Sequence, residues 1–202
     1  MDFSKMAGLW QAVMLKPEPT LAAQAKTKAK LMDGLIGYAI AAVISGVISV
    51  ISLTLFSSAA LKSSPLLGVM TNPLLVLAFG IVMGIVSSFI MAGLLHVLAG
   101  VLGGKGSFTQ LYYLLSIIAV PIAVVNIVSI IPVLGALISL VVSLYSLYLW
   151  VLAISKLYGM SLMRSVGVVV LAIVVVFAIA MVISIVAAGY FISAAAPGLI
   201  GY

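Results

Sequence analysis

Residues 166–188 read VGVVVLAIVVVFAIAMVISIVAA, and this stretch decides the fold. It carries no charge, and Ser184 is its one hydrogen-bonding side chain. About 20 apolar residues wound as a helix cross a hydrocarbon core of ~30 Å. Hydrocarbon offers a peptide group no hydrogen bond, so such a segment must be a helix. Outward from it, the same reading predicts five spans: 31–56, 74–99, 109–131, 134–157 and 163–192. The first is too long and begins too late for a secretory signal. The fold class is therefore all-α and integral to a membrane, a five-helix transmembrane bundle spanning 31–192. Residues 1–30 form a separate amphipathic and basic segment, and 193–202 a short tail.

Composition agrees. Hydrophobic residues make up 66% of the 202 and charged residues 6%, against ~45–50% and ~25% in soluble domains. Too few charges remain to build a polar shell, which excludes a soluble enzyme, a disordered chain and a nucleic-acid-binding domain. With mean hydropathy at +1.47, the net charge of +6 points to anionic lipid headgroups, not nucleic acid. There is no cysteine, a single histidine (His96), and three carboxylates, Asp2, Glu18 and Asp33. Acid–base catalysis usually uses two positioned ionisable groups and a metal site three or four ligands. The expectation is no catalytic, metal or cofactor site, and no enzyme. No carboxylate lies at mid-span, which argues against ion-coupled pumping.

The flanks set orientation. Lys5, Lys16, Lys26, Lys28, Lys30, Lys105, Lys156 and Arg164 fall on one side of the five spans, and Lys62 alone on the other. The positive-inside rule then puts the N-terminus in the cytoplasm and the tail outside. Phe3, Met6, Trp10, Val13 and Met14 recur at helical spacing, predicting an interfacial helix over 1–16 with Trp10 as its anchor. Pro17-Glu18-Pro19 should stop it. Thr20 should cap a second helix through Lys30, on which Lys26 and Lys30 share a face. Lys26, Lys28 and Lys30 read as a basic flank for topology or anionic-lipid capture. In the 57–73 loop, Ser57, Ser58, Ser63, Ser64, Pro65 and Pro73 interrupt an apolar middle of Leu66, Leu67, Val69 and Met70 that is expected to dip back into the interface. Pro132-Val133-Leu134-Gly135 suits a tight turn that pairs the third and fourth spans as a hairpin. Pro121 should kink the third. Asn126 and Ser45, Ser49, Ser139, Ser143 and Ser146 read as helix-to-helix glue. Tyr112, Tyr113 and Tyr158 read as aromatic-belt residues.

The second span holds the most ordered pattern. Gly80, Gly84, Ser88, Ala92, His96, Gly100 and Gly104 are spaced by four, a small-residue stripe on which another helix of the bundle or a second copy of the chain can pack. It puts His96 on the packed face, as a structural histidine or as a proton- or headgroup-sensing one. Then comes Gly103-Gly104-Lys105-Gly106-Ser107-Phe108. It is no Walker loop: Ala99 stands at the first glycine position, Gly106 follows the lysine, and a helix precedes it. It does suit a simpler anion or lipid-headgroup site. Ser107 and Gln110 spell a capping box, and a helix N-terminus with Lys105 beside it attracts a phosphate.

The run from His96 through Gly103-Gly104-Lys105-Gly106-Ser107-Phe108 to Gln110 resembles the signature of the Yip family, the Ypt/Rab-interacting membrane proteins. So do Val120-Pro121, Ile131-Pro132-Val133-Leu134-Gly135 and Tyr158-Gly159-Met160-Ser161. The resemblance covers about residues 10–190 and implies five spans with a cytosolic N-terminus. Eukaryotic members act in vesicle traffic, bind prenylated Rab-type GTPases and carry a long soluble N-terminal region with acidic motifs. Here about 30 residues precede the first span, as in short prokaryotic-type members. That implies the cell membrane as location, or an endomembrane for a eukaryotic source. Two functions follow as expectations. One is a non-catalytic membrane-organising or interaction protein, whose partners are the bilayer, anionic headgroups and a membrane or cytosolic protein. The other is a carrier or scramblase for a lipid or small apolar solute, using a groove beside the Gly80/Gly84 stripe.

Overall fold

The computed structural model describes residues 3–56, 72–131 and 133–199. The 57–71 stretch of the expected re-entrant loop, with Lys62, and also Asp2 and Pro132, lie outside the described residues. Two short helices, α1 (Phe3–Leu15) and α2 (Pro17–Gln24), precede five long ones. These are α3 (Leu31–Phe56), α4 (Pro73–Val101), α5 (Phe108–Val125, continued as a 3-10 turn over Asn126–Ile130), α6 (Leu134–Tyr158) and α7 (Leu162–Leu199). Five segments are long and apolar enough to cross a membrane: Leu31–Phe56, Pro73–Val101, Phe108–Ile130, Leu134–Tyr158 and Leu162–Tyr190. Each lies within two residues of its expected bounds.

Local chemistry sets these ends. Asp33 Oδ2 accepts the Lys30 N–H at 2.9 Å, closing the first turn of α3. Asn72 Oδ1 accepts from the N–H groups of Leu74 and Leu75 at 3.0 and 3.3 Å, ahead of Pro73 at the first position of α4. At its other end α4 runs past residue 99 and closes in a Schellman turn. Gly103 takes φ +85°, its N–H donates to the Gly100 carbonyl at 3.0 Å, and the Gly104 N–H donates to the Ala99 carbonyl at 2.9 Å. The α5 helix passes through Pro121 and tightens only over Asn126–Ile130. At the α5–α6 hairpin, a Cβ on Gly135 would collide with the Val128 carbonyl oxygen, so backbone lies on backbone there. α7 continues as helix to Leu199, so the tail expected from 193 begins as helix.

The N-terminal segment departs most from expectation. Pro17-Glu18-Pro19 ends α1 but opens α2, because a first helical turn needs no proline N–H. Thr20 caps nothing. It lies within α2, and its hydroxyl donates to the Lys16 carbonyl at 2.7 Å. The helix stops at Gln24, so Lys26, Lys28 and Lys30 sit on a turn and an extended linker and share no helical face. Trp10 is not a headgroup anchor: its ring packs beside Ala41, Val120 and Ala123 of α3 and α5. Fully buried Val13 and Leu21 join Leu114, Ile118, Leu149 and Leu152 in one apolar cluster, so α1 and α2 lie against α5 and α6.

Close approach organises the bundle. α3 packs most extensively on α5. A Cβ at Gly34 would come within 2.6 Å of the Tyr112 ring, and one at Gly37 within 2.8 Å of the Ser116 hydroxyl. The main core lies toward the end that carries the glycine hinge: Leu95, Ala99, Leu111, Tyr112, Ile154, Tyr158 and Val168 are all buried in it. α7 shares this core only through its first turns, and beyond Ala172 none of its described side chains, to Tyr190, is buried.

Candidate functional site

Three stretches distant in sequence meet at that end of the bundle: the linker after α2, the hinge 103–107 and the α6–α7 turn. Tyr158 joins two of them. Its hydroxyl and His96 Nδ1 share a hydrogen bond at 2.5 Å, its carbonyl accepts the Lys105 N–H at 3.4 Å, and its ring lies against the hinge. A Cβ on Gly106 would fall 2.9 Å from that ring, and one on Gly104 would fall 2.7 Å from Met160 Sδ. Gly104 and Gly106 are thus glycines because a tyrosine occupies their side-chain space. Gly159, with φ +64°, ends α6, and Ser161 caps α7 by accepting the Arg164 N–H at 3.4 Å. His96 is half-buried, with the Phe108 ring edge-on at 5.9 Å.

The capping box forms by half. Ser107 Oγ accepts the Gln110 N–H at 3.2 Å, but the Gln110 side chain does not return to Ser107. It is buried and turned to the N-terminal linker. Its Nε2 donates to the Gln24 carbonyl at 2.7 Å, and its Oε1 accepts the Ala29 N–H at 3.2 Å. The Tyr113 hydroxyl donates to Gln24 Oε1 at 2.9 Å, and the Tyr145 hydroxyl to the Met14 carbonyl at 2.7 Å. Lys156 Nζ meets Glu18 Oε1 at 2.6 Å. Residues 14–29 are thereby tied to α5 and α6. Sequence reading missed this clamp, although one signal was available. An amide two residues into an apolar span must find partners, because lipid supplies none.

Lys26, Lys28, Lys30, Lys105 and Arg164 are all exposed. Among the described residues their side chains make no ion pair. Phe108 points away from them, among Phe89, Tyr112 and His96. Tyr112 and Tyr158 are corrections to the aromatic-belt reading. Both are buried in protein, and Tyr112 is bonded to the Ser88 hydroxyl at 3.0 Å.

The small-residue stripe divides in two. Ala92 is fully buried and Ser88 nearly so, while a Cβ on Gly84 would lie 3.2 Å from Ala42, so this part packs within the bundle. A Cβ on Gly80 would meet nothing within 4 Å. Gly80 and Gly84 instead border a hollow of about 960 Å³ lined by α3, α4, α5 and α6. Neither His96 nor Lys105 lines it. The sequence therefore marked the groove's border but not its separation from the hinge.

The family model described as the Yip1 domain matches residues 13–185. No curated protein and no solved structure matches the chain.

Proposed function

Because the chain belongs to the Yip1 domain family and is a multi-pass membrane protein, we propose that it acts without catalysis, organising the membrane through the basic end of its bundle. That end faces the cytoplasm, by the eight-to-one division of its cations, and lies against anionic lipid headgroups. The observation that carries this reading is the clamp. Gln110 and Tyr113 hold the linker that bears Lys26, Lys28 and Lys30 on the same end as Lys105 and Arg164. Five cations are thus presented together from a fixed frame. Each basic residue near an anionic surface contributes about 1 kcal/mol of attraction, so the group binds strongly without a pocket. Native mass spectrometry of the purified protein with phosphatidylglycerol and phosphatidylcholine tests it. Preferential retention of phosphatidylglycerol should vanish when Lys26, Lys28, Lys30 and Lys105 become glutamine. Undiminished preference in that variant would defeat the reading.

The hollow bordered by Gly80 and Gly84 favours a second reading, carriage of a lipid or small apolar solute across the bilayer. Proteoliposomes loaded with a fluorescent phospholipid test this. Leaflet exchange no faster than in empty vesicles would end it.

A further inference from the structure

We infer that the hollow between α3, α4, α5 and α6 is a binding site for the hydrocarbon chain and ester carbonyl of a membrane lipid, whatever the charge of its headgroup. It rests on the same hollow as the second reading above, but on occupancy, whereas that reading needs flux.

Packed protein interiors hold few voids larger than a water molecule, whereas ~300–1,000 Å³ is the range of small-molecule sites. The hollow's 960 Å³ belongs to the second class. Small side chains make the room: Ala42, Gly46, Gly80, Ala119 and Ala123 line it. It opens sideways to the bilayer, since Leu75, Phe79 and Val82 line it and are 50%, 65% and 59% exposed. What enters from there is hydrocarbon.

The polar groups narrow the ligand further. Of the polar residues that line it, Ser49 satisfies its hydroxyl on the Ser45 carbonyl one turn back. Tyr38, Ser45, Asn126, Ser146 and Trp150 do not. All five line the hollow, and none makes a side-chain hydrogen bond among the described residues. Unpaired polar groups in an apolar medium cost free energy that a ligand can recover. All five can donate a hydrogen bond, so an ester carbonyl, which can only accept, finds a partner in whichever of them it reaches. No Lys, Arg, His, Asp or Glu lines the space, so the bound part is uncharged. Asn126 lies where α5 ends near the hairpin, and Trp150 is sixteen residues into α6, ~24 Å along that helix from its start at the helical rise. A lipid with its carbonyl at Asn126 would extend its tail toward Trp150.

The two tryptophans make this measurable. In the Trp10→Phe protein, Trp150 is the sole reporter. Phosphatidylcholine brominated on one chain, titrated into the detergent-solubilised protein, should quench it saturably. Brominated phosphatidylglycerol should do so equally, because no charge is read. Gly80→Phe, placed where a Cβ meets open space, should raise the half-saturating lipid about tenfold with the thermal melt retained. Asn126→Ala should raise it less. The glutamine variant of the four lysines should leave it unchanged. Quenching that never saturates, that is the same in Gly80→Phe, or that favours the charged lipid would overturn the assignment.

Discussion

Replacing Gly106 by alanine should destabilise the bundle, and the cause should be a single ring. The added Cβ would stand 2.9, 3.0 and 3.1 Å from three carbons of Tyr158. That ring has little freedom to yield: it is 4% exposed, its hydroxyl is bonded to His96, and its residue's carbonyl holds the Lys105 N–H. Overpacking of this kind costs about 1–3 kcal/mol, and a displaced ring would forfeit a hydrogen bond worth about 1 kcal/mol net. Gly106→Ala should therefore lose about 2–4 kcal/mol. The assay is equilibrium unfolding in mixed micelles of dodecylmaltoside and rising SDS, followed by circular dichroism. A double-mutant cycle supplies the decision. Tyr158→Phe keeps the ring, so the glycine substitution should cost nearly as much there. Tyr158→Ala removes the ring, so the added cost should disappear. Gly103 is the contrast: its φ of +85° with open space around it predicts a strain of about 1–2 kcal/mol for alanine, whatever stands at 158. If Gly106→Ala costs the same with and without the Tyr158 ring, the steric argument for this hinge is wrong.

Other outcomes follow from the same geometry. Gln110→Ala should free the linker: amide hydrogen exchange at residues 24–29 should accelerate, and trypsin should cleave after Lys26, Lys28 or Lys30 sooner than in the parent. Ser107→Ala removes the helix cap and should cost about 1 kcal/mol in the SDS titration. The chain has no cysteine, so single cysteines report topology cleanly. Lys28→Cys and Lys105→Cys should label from one side of sealed vesicles, and Leu134→Cys only from the other.

The fold was legible because lipid removes alternatives. Once 23 uncharged residues must be helical, span limits follow from charge, proline and glycine. The hinge was legible in part for the same reason: Gly103 sits where a helix must end. What Gly104, Gly106 and Gln110 do was not legible, because their partners are Tyr158 and the 24–29 linker, far away in sequence. Apolar periodicity misplaced Trp10, and nearness to a span end misplaced Tyr112 and Tyr158. An aromatic residue near a span end reads as facing headgroups, and only the tertiary contacts show each one packed among other helices. The second short helix was misread because propensity cannot tell a proline that ends one helix from a proline that begins the next.

The pairing of α3 with α5 bears on how the chain is made. The glycine face of α3 closes on Tyr112 and Ser116, which emerge from the ribosome after α4 has been synthesised. At about 5–20 residues per second, α3 stands in the bilayer for several seconds before its principal neighbour exists. During that interval lipid tails or the insertion machinery must shield Gly34 and Gly37, and assembly of the bundle waits on the third span rather than proceeding helix by helix.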